Sequence, residues 1–588
     1  MKTKYMKIAC AMAALVGFSS CNDFLEVEPQ DKILLDKFWN ERADVESVVA
    51  SCYSSLQSSA CIKRMMIWGE ARSENMDAGN NIDKDVNLNN IFKANITSTN
   101  PYTAWVDFYY VINTCNTIIK YAPGVAAKDP GYTDSELKAT IAEVTALRSL
   151  CYFYLIRTFR DVPYTTEPYI DDDQTMDLPA TKFENVLDQL IADLEGVRND
   201  AVVYYPNSKP LYQTGRITRT AIDAMLCEMY LWKKDYQRCI HYADEVIAQM
   251  KRQEEFREQE NGLNTQTKDE DIEGYPLLPC RYSNSQNVFG SDYMKLFGGT
   301  GNSSESIFEL SFVKDDDNMP ANNAVAEFYG NATNIMGFAS ASSYIGGDVA
   351  QEQWKVFANK LDARYYYAVM AGSSTYSICK YAWKNVQIET TGSSAAGAKV
   401  ETLYSNMYPE KHVQANWIIY RITDIMLLKA EALTQLIASD DASLSDADKD
   451  YLNQAFRLVA VINKRSLCQY PRKDTLDISN FGTKAAIEEL VLNERRRELM
   501  FEGKRWYDLV RKARRDGKTD YLKSQSCNKY SSNKQLVESK LTRMAAIYWP
   551  YNNDELKVNK HLHQNEAFGT GLNDSYESAS RERLTNEE

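Results

Sequence analysis

Between Glu488 and Arg511 the chain carries six acids (488, 489, 494, 498, 502, 508) and six bases (495, 496, 497, 504, 505, 511). Side chains of these types can grip nucleic acid, exchange protons as a general acid and base, or pair with one another inside a fold. Equal numbers of the two signs leave no field for a polyanion, which argues against a nucleic-acid groove. On a helix Leu490, Glu494, Arg497 and Phe501 fall at i, i+4, i+7 and i+11, so Glu494 and Arg497 share a stripe with two large apolar side chains. A carboxylate and a guanidinium placed there are at least partly buried, and they persist only if paired and hydrogen-bonded. The spacing predicts a structural ion network around Glu494 and Arg497 in preference to a catalytic pair. Gly503 suits a left-handed stop to that helix, and the next helix begins with Trp506, Leu509, Val510 and Ala513 on one face.

The remaining chemistry-bearing residues are sparse. Four histidines in 588 residues, with only His561 and His563 near each other in what reads as a loop, argue against a zinc site, and no cofactor is expected. Net charge is -14, from 81 acids and 67 bases, which removes any bulk attraction for nucleic acid. At 44% apolar and 11% aromatic, the composition is that of a globular protein with a large core. Twelve cysteines are scattered without a C-x-x-C pair; Cys115, Cys151, Cys227 and Cys239 sit in apolar helical patterns as small hydrophobes, while Cys52 and Cys61 could bridge or stay free.

The N-terminus places Lys2, Lys4 and Lys7 ahead of an apolar run from Ile8 to Phe18, then Ser19, Ser20 and Cys21. This is a secretory signal over residues 1–20, too short to span a membrane, with the cysteine placed for cleavage before it and acylation as in bacterial lipoproteins. Several acyl chains on one residue anchor a protein stably, so the expectation is a soluble body tethered to a membrane at Cys21.

Further along, "AWVDFYYVINTCNTIIKY" (104–121) and "TDSELKATIAEVTALRSLCYFYLIRTF" (133–159, behind a Thr133–Glu136 capping box) have helical periodicity. A second pair, 218–232 and 236–250, flanks the turn Lys233-Lys234-Asp235 and has the small and aromatic positions of tetratricopeptide hairpins. From about 255 to 410 Gly, Ser, Asn and Tyr replace helix formers, with only short strand-like pieces such as "SIFELSF". Helical periodicity returns over 417–437 and 450–466. The reading is a mainly α chain: an N-terminal helical part over 21–256, then a C-terminal part over 257–588 that is loop-rich to about 410 and helical after it.

Six segments in order now carry a resemblance: "SSCNDFLEVEPQD", "RSLCYFYLIRTFRDVPYTTEP", "GRITRTAIDAMLCEMYLW", "YRITDIMLLKAEAL", "NERRRELMFEGKRWYDLVR" and "IYWPYNNDELKVNKHLHQNEAF". Together they resemble the SusD/RagB family of Bacteroidetes outer-membrane lipoproteins across nearly the whole mature chain. That resemblance implies a SusD-like fold of four tetratricopeptide-like hairpins with long irregular loops and a few short strands as the ligand face. It also implies a location on the outer membrane, lipid-anchored and facing the exterior. Its partner would be a SusC-like TonB-dependent transporter, to which the protein delivers a captured nutrient, an oligo- or polysaccharide, without catalysis. Alternatives are capture of a peptide or glycopeptide by the same lid, a surface glycosidase with two facing carboxylates, or a protein-binding tetratricopeptide scaffold.

Sugar rings pack their C–H faces on aromatic side chains and bond their hydroxyls to planar polar groups. An early segment, "IWGEARSENMDAGNN", offers Trp68, Arg72, Asp77 and Asn80 for this, and the central loops offer Tyr282, Phe289, Tyr293 and Tyr344. Any one of these aromatics could instead be core or loop packing. Trp105 and Trp506 fall on helix faces and are assigned to the core. "NNIDKDVNLNN" (80–90) has oxygens suited to calcium but lacks the spacing of an EF-hand loop, and a solvated turn is the simpler reading, so no metal is assigned.

Overall fold

The computed structural model describes residues 38–569 apart from 172, 207, 261–271, 279, 281, 284–287, 290–291, 299–300, 313–320, 351–354, 358, 373–374, 392–398, 410–411, 439–443 and 470–471. Cys21 and the segment expected to be its leader lie outside these residues.

The main helices are α1 (Arg42–Leu56), α2 (Val106–Ala126), α3 (Asp134–Phe159), α4 (Phe183–Val197), α5 (Arg219–Lys233) and α6 (Tyr236–Glu260). After the irregular centre come α7 (Ile422–Leu436), α8 (Asp446–Arg465), α9 (Lys484–Leu499) and α10 (Arg505–Asp516). Local chemistry sets several ends. Thr133 and Glu136 form a reciprocal capping box at the start of α3, and Ser445 caps α8 by accepting from the Asp448 N–H. Lys234 turns left-handed at φ 68° to join α5 to α6. Gly517 (φ 66°) closes α10, where a glycine bears the left-handed backbone without a Cβ clash.

Helices adjacent in sequence pack side by side, α1 on α2, α2 on α3, α3 on α4, and α5 on α6. The stacking then continues across the irregular centre, since α6 lies directly on α7, and α7 on α8 and α9. This is the stacked-hairpin logic of a tetratricopeptide array, in which each pair buries a face it cannot bury alone. α3 is long and apolar enough to cross a membrane, yet most of its apolar window is buried in the protein, so it is a core helix.

Two sequence expectations are corrected here. The helix expected over 417–437 begins only at Ile422, because Trp417–Arg421 forms a strand, β8, antiparallel to β4 (Ser306–Leu310) with Trp417 opposite Leu310. Those five residues are aromatic, β-branched and basic, and a partner strand from over a hundred residues away overrides their helical spacing. The region expected to hold only short strand-like pieces contains two nine-residue antiparallel strands, β6 (Trp383–Thr391) and β7 (Lys399–Met407). Val386 and Ile388 are buried on alternate positions, the period of two that marks a half-buried strand. β6 also pairs with β3 (Val288–Phe289), which pairs with β2 (Tyr282–Ser283).

The cysteines are free and buried at all ten described positions. Cys52 lies 3.7 Å from Cys115, not against Cys61, and Cys227 lies 3.7 Å from Cys239.

Candidate functional site

Trp68 lies in Ile67–Ala71, the wide continuation of the helix Ser59–Met66, and Arg72, Asp77 and Asn80 follow it. Met76–Ala78 is strand β1, antiparallel to β5 (Ala339–Ala341), with Asp77 opposite Ser340. Around this pairing the Ser342 N–H donates to the Asn75 carbonyl, the Gly79 N–H to Phe338, and the Asn81 side chain to Met336. Gly79 permits the crossing, because a Cβ there would stand 2.4 Å from the Gly337 carbonyl oxygen. The early segment and one central segment are thereby joined into one surface.

On that surface Asp77 is half-buried and Asn80 exposed. Tyr344 is half-buried three residues past the end of β5, with the Lys355 ammonium 5.6 Å from its ring centre. Asp77 Oδ1 accepts from the Ala78 N–H at 2.8 Å. Asp77 lies within the pairing, Asn80 just past the end of β1 and Tyr344 past the end of β5; a carboxylate, an amide and a phenol ring are groups that suit hydroxyls and a C–H face.

The other proposed contacts are placed elsewhere. Trp68 is fully buried, its indole N–H donates to the Tyr102 carbonyl at 2.8 Å, and its ring packs on Phe108 and Phe159. Phe289 is buried in the sheet opposite Ile388. Tyr293 is buried too, stacked on Tyr367 at 5.4 Å with the Arg465 guanidinium 5.0 Å from its ring centre, and burial pushes its phenol pKa up. Trp68, Phe289 and Tyr293 are therefore corrected from sugar contacts to core, since none presents a ring face to solvent. Aromatic residues in a Gly- and Ser-rich stretch look the same in sequence whether they line a ligand or fill the loop's own interior. Tyr282 lies in β2 opposite Phe289; its side chain is outside the described part. Arg72 donates to the carbonyls of Ala546 and Ile547 and lines a cleft beside residues 94–98 and 537–546.

In the 80–90 segment, Asp85 caps the helix Val86–Phe92 by accepting from the Leu88 N–H, and its other oxygen takes the Tyr102 hydroxyl. Its oxygens are thus committed to the fold. His561 and His563 are exposed loop residues.

The charged run positions this face from both sides. Glu494 and Arg497 meet at 2.7 Å, and Glu494 also takes the Arg364 guanidinium at 2.7 Å. Shared partners extend this to five acids (Glu305, Asp362, Glu494, Glu498, Glu502) and five bases (Arg364, Lys380, Arg421, Arg465, Arg497), all buried. Opposite charges in equal number satisfy one another where water cannot. Arg364, Lys380 and Glu305 belong to the irregular centre, and Glu494, Glu498 and Glu502 to α9 and the turn after it, so this network bolts the central region to the helices. The early segment is held by the same run. Glu74 accepts from Arg496 (3.0 Å) and Arg505 (2.7 Å), and Glu70 from the backbone N–H groups of Phe501, Lys504 and Arg505. Burial pushes Glu74 up, but the Arg505 and Arg496 guanidiniums outweigh it and hold the carboxyl at about 2. Burial lifts Glu70, which has only neutral donors, to about 7.

The comparisons with known proteins bear on the family and the fold. The family model described as the SusD family matches residues 304–568, and one described as starch-binding associating with outer membrane matches residues 23–231. SusD-like protein P38 of Formosa agariphila is 24% identical over 529 residues, covering 86% of this chain and 92% of that one. A SusD-like protein of Bacteroides ovatus is 24% identical over 87% of this chain and 82% of that one. A SusD superfamily structure from Bacteroides vulgatus superposes with a TM-score of 0.62 at 18% identity, covering 90% of this chain and 100% of that one. A laminarin-binding SusD-like protein superposes at 0.57, also at 18% identity, over 90% and 99%. With matching family models at both ends, a mainly helical stacked-hairpin fold and relatives that span most of its length, this chain belongs to the SusD/RagB family, whose members are nutrient-binding proteins associated with the outer membrane.

Proposed function

We propose that the protein captures an oligo- or polysaccharide at the cell exterior and delivers it to a SusC-like TonB-dependent transporter, held at the outer membrane by acyl chains on Cys21. The observation that supports this reading is the β1–β5 pairing, which joins the segment carrying Asp77 and Asn80 to the one carrying Tyr344 in a SusD-family chain. Laminarin binding by a structural neighbour supports a glycan as the ligand class. The protein acts as a binder without turnover, its carboxylate, amide and phenol recognising the hydroxyls and ring face of a sugar.

The test is a glycan panel by affinity electrophoresis and calorimetry on the chain beginning at Asn22, repeated with Asp77→Ala, Asn80→Ala and Tyr344→Ala. A saturable hit weakened by these changes, with the polymer left uncut, is the expected result. Cleavage of the polymer, or a hit indifferent to all three changes, would overturn it.

A further inference from the structure

Arg72 lines a cleft of about 570 Å³ among Ala94–Ser98, the helix Lys534–Lys540, the turn after it and Phe568. That volume suits a small ligand. Its walls are apolar at Ile96, Val537, Leu541 and Phe568, and hydroxylic at Thr97 and Ser98. Of its twelve lining residues among those described, three are cations, Arg72, Lys540 and Arg543, and none of the twelve is acidic. In a chain with 81 acids and a net charge of -14, that is a local reversal of sign. Two other clefts of similar volume carry their own acids, Glu273, Asp474 and Asp477 in one, Asp161 and Glu566 in the other.

What the three cations do with their protons sharpens the point. Arg72 donates to the carbonyls of Ala546 (2.7 Å) and Ile547 (2.9 Å) and lies 4.2 Å over the Trp506 ring. Lys540 donates to the Ala94 carbonyl at 3.0 Å, and Arg543 to the Glu566 and Ala567 carbonyls at 3.3 and 2.9 Å. Carbonyls and a ring orient a cation but leave its charge uncompensated. None of the three makes an ion pair among the described residues, although most arginines around them do. Burial without a counter-charge pulls the Arg72 guanidinium down to about 9, the direction a bound anion would reverse.

We propose that this cleft is a second subsite, which takes the anionic substituent, a carboxylate or a sulfate ester, of an acidic saccharide. The apolar walls fit the C–H face of the ring, Thr97 and Ser98 its hydroxyls, and the cations its charge. The proposal rests on the reading of the protein as a glycan binder and narrows the class of glycan. Sequence reasoning missed Lys540 and Arg543 because single surface bases carry no signal until the fold sets them beside Arg72, more than 460 positions earlier.

The experiment is calorimetry on the chain beginning at Asn22 with three probes: an oligogalacturonate, a sulfated oligosaccharide of similar length, and a neutral glucan. Lys540 and Arg543 are exposed, so the double variant Lys540→Ala/Arg543→Ala keeps its fold, checked by an unchanged melting midpoint. Expected is binding of at least one acidic probe, weakened tenfold or more in the double variant and by raised salt. The arm that binds tells carboxylate from sulfate. Neutral glucan binding lost on Asp77→Ala but kept in the double variant, with neither acidic probe bound by the wild type, would overturn this subsite and leave glycan capture standing. An acidic probe held equally by wild type and double variant would also overturn it.

Discussion

Arg421 and Glu498, 77 residues apart in sequence, meet at 2.6 Å with neither side chain exposed to water. Arg421 ends β8 at the exit from the irregular centre, and Glu498 lies in the last turn of α9. Glu498 also receives Arg364 at 3.1 Å and Arg465. One carboxylate thus joins the central region, α8 and α9. Replacing Glu498 by Gln leaves five buried bases facing four acids, and a buried charge that loses its partner costs about 3–5 kcal/mol. The check is urea unfolding followed by circular dichroism; a loss under about 1 kcal/mol would show that the network orients the elements without stabilising them.

Glu74 gives the fold an acid limit. Its folded value of about 2 lies below the ordinary carboxylate value of 4.5, so its contribution is fully present above pH 4.5 and is lost as pH falls toward 2. A shift of that size corresponds to roughly 3 kcal/mol. Glu74→Gln is expected to be less stable than the wild type by that order at pH 7, with the gap closing as pH falls below 4.5. Melting midpoints at a series of pH values measure it, and a gap independent of pH would refute the assignment.

Core and ligand face separate by the kind of defect that each substitution produces. Trp68→Ala removes a fully buried indole and its hydrogen bond to Tyr102, with an expected cost of about 3–5 kcal/mol. Tyr344→Ala, at a half-buried surface position, is expected to leave the melting midpoint within about 2 °C while weakening glycan binding tenfold or more. Paired thermal and calorimetric measurements on the two variants decide whether the rings divide this way.

Gly79→Ala tests whether the β1–β5 apposition carries the site. The new methyl would stand 2.4 Å from the Gly337 carbonyl oxygen and 2.9 Å from that of Ala339, so the two segments must part. A cost of about 1–3 kcal/mol is expected, together with loss of glycan binding although no ligand-facing side chain has changed. Retained binding at full affinity would move the site away from this pairing.

The ten described cysteines are buried and free, which makes thiol reactivity a probe of folding. For Cys115 burial raises the pKa well above that of an ordinary thiol, and for Cys61 to about 12, which removes the reactive thiolate at neutral pH. In the chain beginning at Asn22, Ellman's reagent is expected to find fewer than about one thiol in the native protein and all ten in guanidinium chloride. Substoichiometric labelling after denaturation would reveal a disulfide at the close Cys52–Cys115 or Cys227–Cys239 pair.

The sequence by itself determined the helices whose signals are local. The capping box at Thr133, the turn at Lys234 and the apolar stripe of Trp506, Leu509, Val510 and Ala513 each depend on neighbours within a few residues, and each stands in the structure. It also determined that Glu494 and Arg497 would pair, because i and i+3 on a helix are neighbours whatever the rest of the fold does. Tertiary structure alone decided that Trp417–Arg421 is a strand, because its partner Ser306–Leu310 is over a hundred residues away. It alone sorted Trp68, Phe289 and Tyr293 into the core and left Tyr344 at the surface, since an aromatic residue's role depends on which chain segment covers it. Arg72, Lys540 and Arg543 meet in one cleft for the same reason. Helical periodicity and capping are encoded over one or two turns, whereas a ligand face is made by distant segments whose meeting no local pattern records.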